Sequence, residues 1–328
     1  MNKSDLVQLI LKNKLNQPPK QKSATAFAPS NIALVKYWGK RDEELNLPMT
    51  SSLSMSLKEK GAEVTLTASN LPQDHVLLND KDISVDSDFY KRLVSFLNLF
   101  RAQHKQHFFI KIKSTVPIAA GLASSACGFA SLVLALNKLY DWQLSDIGLS
   151  ILARLGSGSA CRSIWQGFVE WQAGKRDDGL DSHGELLNFE WPELRLGILM
   201  ISNAEKNISS RTAMKQTVAT SPLYSAWPQK VADDLVAVKK ALAEKDFDLL
   251  GKTAESNAMT MHATMQSAWP PIVYAVPDTI MAMNDIWYMR AQGLPVYFTQ
   301  DAGPNLKLLF LQKDENAIKE HFSFIEVI

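Results

Sequence analysis

Cysteine is scarce in this 328-residue chain: Cys127 and Cys161 are the only two. Two thiols cannot build a disulfide framework, and neither lies in the close Cys/His spacing of a zinc site, so a reducing cytoplasm is the expected compartment. Net charge is nearly absent as well. Thirty-five Lys and Arg stand against 34 Asp and Glu, a formal balance of +1. No global field recruits DNA, RNA or an acidic membrane, so nucleic acid is not an expected partner and any anion site must be local. No apolar run approaches the length of a membrane span. The opening stretch "MNKSDLVQLILKNKLNQPPKQKS" has only Leu6 to Leu11 as an apolar segment, broken by Gln8, and no small-residue cleavage site follows. It reads as an amphipathic arm, residues 1–23, ended by Pro18-Pro19, and not as a signal peptide. Internal repeats and low-complexity segments are missing too.

What is present is the composition of a soluble globular protein, 46% apolar and 21% charged, with length for one large domain or two ordinary ones. Strand signals come early, in "TAFAPSNIALVKYW", "AEVTLTAS" and "HFFIKIKSTVP". Helical patterns cover about 86–103, 124–140 and 145–154, and "GFVEWQ" and "ELRLGILMIS" read as further strands. Beyond 203 the texture turns helical, through "VADDLVAVKKALAEKDFDLLGKTAESNAMTMHAT" and "VPDTIMAMNDIWYMRAQG", before strands "PVYFTQ" and "LKLLFL". Gly293 falls where a helix C-terminal cap belongs. This order lacks regular βα alternation, which predicts an α+β chain in two halves, 24–195 and 196–328.

Four stretches carry candidate chemistry. "PIAAGLASSACG" (117–128) is a turn running into a helix start stripped of bulk, as either close packing or approach of a phosphate to free backbone N–H groups requires. It lacks the ending of a Walker loop and the spacing of a dinucleotide fingerprint. "RLGSGSACRS" (154–163) repeats the theme, with Arg162 at helical reach of Ser157, Gly158 and Ser159; it fits a second anion loop or a flexible turn with a surface arginine. "SNIALVKYWGKRDEELNLPMTSSLSMSL" (30–57) sets Lys36, Tyr37, Trp38 and Lys40 before the serines 51, 52, 54 and 56. From composition alone this is a surface loop with solvated lysines. "YFTQDAGPNLK" (297–307) ends a strand with Asp301, where an aspartate ordinarily makes an Asx turn. The histidines give no metal site: His104 and His107 read as an exposed helix end, and His262 lies on an alanine- and methionine-rich helix.

Together these stretches resemble one family, the mevalonate diphosphate decarboxylases among the GHMP small-molecule kinases. The matching segments are "APSNIALVKYWGKRDEELNLPMTSSLSMSL", "PIAAGLASSACG", "GSGSACRSIWQGFVEW", "WPELR", "ISSRTAM", "MHAT" and "TQDAGPN", in family order over about residues 24–310. "KYWGKRD", "GSGSACRS" and "DAGPN" in one chain are specific, whereas the N-terminal arm has no place in the pattern. The resemblance implies a two-domain GHMP kinase fold with an active-site cleft between the domains. It also implies ATP-dependent decarboxylation of mevalonate 5-diphosphate to isopentenyl diphosphate, with ADP, phosphate and CO₂ released. The neighbouring possibilities are a mevalonate 5-phosphate decarboxylase and a GHMP kinase that stops at phosphorylation.

The roles that follow are those the resemblance implies. Asp301 is the base toward the substrate's 3-hydroxyl, and Lys36 neutralises charge beside it. Gly121, Leu122, Ala123, Ser124, Ser125 and Ala126 cradle the phosphates of ATP, with Ser125 a ligand of Mg²⁺. The substrate diphosphate is held by the segment Tyr37, Trp38, Gly39 and Lys40 and by the loop Ser157, Gly158, Ser159, Ala160, Cys161 and Arg162. Ser210 and Arg211 close from the second half. Arg162 faces either the diphosphate or the substrate carboxylate. Asn31 supports the acidic site. His75 falls where several relatives carry an arginine that reaches substrate phosphate, and Arg211 where eukaryotic relatives tend to have threonine. The partner is a small molecule, in a protein that is a homodimer in much of the family.

Overall fold

A computed structural model of the protein describes residues 1–101, 106–116, 124–204, 206–323 and 325–328, with Ser124 described through its backbone only. Its backbone is organised by one long strand. Ser52–Ser69 runs antiparallel to Ser23–Val35 along one edge. Along its other edge it pairs with His107–Ser114 at one end and Phe168–Trp171 at the other. Two short strands, His75–Leu78 and Lys81–Asp82, extend the sheet beyond His107–Ser114, and Gly184–Leu187 extends it beyond Phe168–Trp171. The alternation of Phe108, Ile110 and Ile112 with Lys111 and Lys113 puts the apolar set inward and the lysines in solvent.

The helix Ser124–Tyr140 packs on this sheet, and its buried side is apolar from Ala126 to Leu139 apart from Ser131, whose hydroxyl donates to Cys127 O. Beside it lies Asp146–Gly156, started by the Ser145 side chain, which accepts from Gly148 N–H. The helical pattern around 86–103 resolves into a helix Asp88–Leu97 followed by a tight turn Asn98–Phe100. His107 begins a strand and does not end a helix, because the alternation that follows it decides the local structure.

The N-terminal segment is not a loose arm. Lys3–Leu11 is a helix closed by a capping box between Asn2 and Asp5. It seats Leu6, Val7 and Leu11, all without exposed surface, in the same core as Leu45, Leu47, Leu136 and Leu152. Its apolar residues recur at helical spacing, and burial of that stripe provides the stability that so short a helix lacks alone.

The second sheet is antiparallel, in the order Tyr297–Gln300, Leu306–Leu311, Leu194–Leu199, Glu326–Val327. Around it lie the helices Ser210–Thr220, Trp227–Glu244, Phe247–Gln266 and Pro277–Ala291. The long helical stretch after residue 230 is broken at Lys245, which adopts φ +53°, and Asp246 then caps the next helix through Leu249 N–H. Gly293, at φ +97°, follows the end of Pro277–Ala291 and donates to Arg290 O. The two sheets share one apolar cluster, in which Ile32, Leu34, Val35, Leu53 and Leu57 meet Trp227, Val231, Leu250 and Leu309. The ends of strands from both halves therefore open onto the same space.

Candidate active site

That space is a cavity of about 390 Å³. Its wall comes from the segment after Ser23–Val35, the starts of the turn Gly158–Arg162 and of the helix Ser124–Tyr140, the start of Ser210–Thr220 and the Asp301 turn, with Arg92 from Asp88–Leu97 and Met261 from Phe247–Gln266. Lys36 is the first residue past Val35 and is 2% exposed, so it is no solvated surface lysine. Its Nζ donates to Ala33 O at 2.8 Å and to Asp301 Oδ1 at 2.7 Å. Asp301 follows Gln300 at the end of a strand, and its second oxygen lies 3.2 Å from the Nζ of Lys307. Gly303 N–H closes the turn on the Asp301 carbonyl, leaving the carboxylate to the two lysines; the Asx-turn reading of this position does not hold.

The charges are strongly coupled. Burial would raise the Asp301 pKa, but Lys307 and Lys36 outweigh it and hold the carboxyl well below the usual carboxylate range. Burial lowers Lys36 to about 8, with Asp301 limiting the fall. A carboxylate held between two ammonium groups is ionised throughout the neutral range. It can accept and orient a hydroxyl proton but is a weak base.

Arg162 lines the cavity although it is only 3% exposed. Its guanidinium donates to Ser54 Oγ at 3.0 Å, to Ser52 Oγ at 2.6 Å and to Asn31 Oδ1 at 3.2 Å, and stacks 5.9 Å over Trp171. All three acceptors are neutral, and among the described residues Arg162 makes no ion pair. A buried cation with no carboxylate in direct contact is costly, and it is a fitting receptor for an anion. The serine run thus has a structural reason: alternate residues of one strand, Ser52 and Ser54, present two hydroxyls to one guanidinium. Asn31 supports Arg162 and not the acidic group, with its amide nitrogen on Ser163 Oγ.

The opposite part of the wall is cationic. Lys40, Arg92 and Arg211 line it, with Lys206 nearer to Asp301. Lys40 is steered by Glu43 at 3.0 Å and Asn46 at 2.8 Å. Tyr37 stands edge-on to Trp171, and its buried hydroxyl has no partner among the described residues. A side chain at Gly158 would press on Tyr37 and Trp171, so only glycine leaves the backbone open there. Ser125 Oγ and Ser157 Oγ meet at 3.2 Å on the wall.

Most residues singled out in the sequence come together here: Asn31, Lys36, Tyr37, Trp38, Lys40, Ser125, Ser157, Gly158, Ser159, Arg162, Ser210, Arg211 and Asp301. Ala126, Ala160 and Cys161 are fully buried behind the wall, and burial pushes the Cys161 thiol up to about 12. Gly39, at φ +102°, is pressed against Tyr224, whose hydroxyl donates to Trp38 O, and does not line the cavity. His75 stands on the sheet edge, meeting Asp82 and Phe109. Arg92, from the helix Asp88–Leu97, lines the cavity where His75 does not. Gly121, Leu122, Ala123, the Ser124 side chain and His104, all singled out in the sequence, lie outside the described residues. Arg92, Lys206, Ser209, Asn46 and Lys307 were not singled out, each being a lone polar residue in an ordinary helix, loop or strand pattern.

Two α+β halves sharing a core, with a cation-lined cleft between strand ends and helix starts, define a two-domain GHMP kinase-like fold. Family models match almost the whole chain: a diphosphomevalonate decarboxylase-like N-terminal domain over residues 28–184 and a mevalonate 5-diphosphate decarboxylase C-terminal domain over 196–325. The chain belongs to the diphosphomevalonate decarboxylase family. It is 39% identical over 318 residues to the diphosphomevalonate decarboxylase of Aspergillus fumigatus, a match covering 90% of this chain and 78% of that one. It superposes on the mevalonate diphosphate decarboxylase structure from Staphylococcus aureus with a TM-score of 0.87 at 38% identity, covering 94% of each chain. A structure designated MDDEF, in complex with MVAPP, AMPPCP and magnesium, gives a TM-score of 0.85 at 41% identity, covering 93% and 95%. No helix among the described residues is long and apolar enough to cross a membrane.

Proposed function

We propose that this chain catalyses the ATP-dependent decarboxylation of (R)-mevalonate 5-diphosphate to isopentenyl diphosphate in the mevalonate pathway, releasing ADP, phosphate and CO₂. The observation that carries the assignment of roles is the pairing of two features in one cavity. One is an always-ionised carboxylate bracketed by lysines; the other is a buried guanidinium with only neutral partners. The tertiary 3-hydroxyl of the substrate donates to Asp301, which orients its oxygen toward the γ-phosphorus of ATP. The new O–P bond forms as the bond from that phosphorus to ADP breaks, and the hydroxyl proton passes by way of Asp301 to a phosphoryl oxygen. Phosphoryl transfer proceeds through a loose transition state and needs alignment more than base strength, which suits a weakly basic carboxylate. Lys36 and Lys206 offset charge on the phosphoryl oxygens. The 3-phosphate then leaves with the C–O electron pair, and positive charge develops at C3. The C–C bond to the carboxylate breaks, its electron pair forms the new double bond, and CO₂ departs.

Arg162 holds the substrate carboxylate until that step. Its charge lies within electrostatic reach of Asp301 and Lys36 at the reacting end, which supports the carboxylate over the diphosphate as its anion. Tyr37, Lys40, Arg92 and Arg211 grip the diphosphate, and this remote anchoring aligns C3. ATP enters over the start of the helix Ser124–Tyr140. The paired hydroxyls of Ser125 and Ser157 suit a hard cation bound with phosphates, and a Mg²⁺ ion held there would supply positive charge against the phosphate oxygens.

Cytoplasmic residence and a homodimeric state belong to the same proposal on the strength of the resemblance; fractionation and light scattering check them. The reaction is tested by coupled ADP release and ¹⁴CO₂ release on mevalonate, its 5-phosphate and its 5-diphosphate. Both products should appear in equal amounts from the diphosphate. ADP without CO₂ would make this a kinase, and preference for the monophosphate would move the substrate assignment.

A further inference from the structure

The helix Phe247–Gln266 touches both members of the Lys36–Asp301 pair, yet neither of the two residues that do so lines the cavity. Asn257, without exposed surface, accepts from the Lys36 backbone N–H at 2.8 Å through Oδ1. Its Nδ2 donates to Asp234 Oδ2 at 2.7 Å, which fixes the orientation of the amide. Five residues further on, His262 Nε2 lies 3.2 Å from the Asp301 carbonyl oxygen. A carbonyl only accepts, so Nε2 carries the proton and donates. The imidazole is 4% exposed, and burial, with Lys36 nearby, pushes its pKa down to about 4. The ring is neutral at neutral pH.

Lys36 and Asp301 both stand one residue beyond the end of a strand, where the sheet ladder no longer holds the backbone. We propose that His262 and Asn257 are positioning residues: one rigid helix clamps the two strand ends in register and thereby sets the separation of ammonium and carboxylate. The proposal rests on the reading of Lys36 and Asp301 as the reacting-end pair. A buried histidine and a buried asparagine on one helix, each spending its hydrogen bond on the backbone of a different member of that pair, give the observation its direction. Displacements of an ångström at a reacting centre cost about a hundredfold, so the clamp should be visible in turnover.

The test compares His262→Phe, which keeps a ring but has no donor, with His262→Gln, whose amide nitrogen reaches the Nε2 position. In His262→Phe, kcat with ATP and mevalonate 5-diphosphate should fall about 10- to 100-fold while both KM values stay within about twofold. His262→Gln should recover most of that loss. His262→Asn, too short to reach Asp301, should resemble the phenylalanine variant and replaces it if that variant does not fold. Combined with Asp301→Asn, the His262→Phe change should add no further loss, because both act through one group. An unchanged kcat in His262→Phe, a loss that glutamine does not recover, or additivity in the double variant overturns the proposal. Asp301→Asn measured alone reports on the reading beneath it: high residual turnover there removes the pair, whereas a dead Asp301→Asn beside an active His262→Phe removes only the clamp.

Discussion

The Lys36 ammonium lies 2.7 Å from the Asp301 carboxylate although the two residues stand 265 positions apart in the chain. Lys307 closes on the other carboxylate oxygen. The three side chains therefore form a fixed array, in which an ionised carboxylate stands between two cations on the cavity wall.

Replacing that acceptor tests the array most directly. Asp301→Asn keeps the side-chain volume, and the turn is closed by backbone, so the variant should fold. It accepts a hydroxyl proton poorly and leaves Lys36 and Lys307 without their counter-charge. Turnover should fall about 10²–10⁴-fold, the range for a positioned acid–base group. KM for ATP and for the diphosphate substrate should change much less. Retention of more than about a tenth of wild-type turnover would remove Asp301 from the chemistry.

Lys36 should set the alkaline limb of the pH profile. Its pKa is lowered to about 8, so the ammonium is lost as pH rises through that value, and kcat/KM should decline on the alkaline side from there. Asp301, held far below the ordinary carboxylate range, contributes no limb between pH 5 and 8. Lys36→Arg should move the alkaline limb upward or abolish it, since a guanidinium keeps its charge. A limb that stays near pH 8 in that variant would belong to another group.

Arg162→Gln removes a buried charge and leaves Ser52, Ser54 and Asn31 short of a donor. Truncating one partner of a buried charge pair costs about 2–5 kcal/mol, and that loss should appear in kcat/KM for the diphosphate substrate. Affinity for a nucleotide analogue, measured by calorimetry, should stay close to wild type. A loss confined to the nucleotide would exchange the assignments of the two small-residue loops.

Ser125→Ala should raise the KM for Mg·ATP and lower kcat while leaving the helix intact, because alanine is the better helix former. Circular dichroism and steady-state kinetics separate the two effects. Unchanged kinetics would free Ser125 of any role toward metal or phosphate.

Leu6→Ala tests the N-terminal helix. Leu6 has no exposed surface and packs with the sheet-and-helix core, so the cavity should cost about 2–5 kcal/mol in urea unfolding. A loose arm would lose almost nothing.

The sequence carried the elements whose signal is local. Strands at 107–114, 168–171, 297–300 and 306–311 follow from their apolar patterns, and the helix at 124–140 from its small-residue start. Pairings between distant segments leave no such trace. Lys307 reads as one polar residue in an apolar strand, and only the hairpin shows that it faces Asp301. Arg92 reads as a charge on an amphipathic helix until that helix is placed beside the turn at 156, where Arg92 donates to the Gly156 carbonyl. The N-terminal helix was legible as amphipathic, but its partners lie some 40 to 150 residues away. Ser210–Thr220, polar and short, has too weak an apolar stripe to announce itself.

The second sheet has a consequence for synthesis. The Asp301 turn is held by Leu306–Leu311 pairing with Leu194–Leu199, whose other edge is completed by Glu326–Val327 at the very end of the chain. Lys36 is made 265 residues before the carboxylate that it is held against. A chain made only as far as the first sheet therefore holds the Lys36 ammonium without the carboxylate it pairs with.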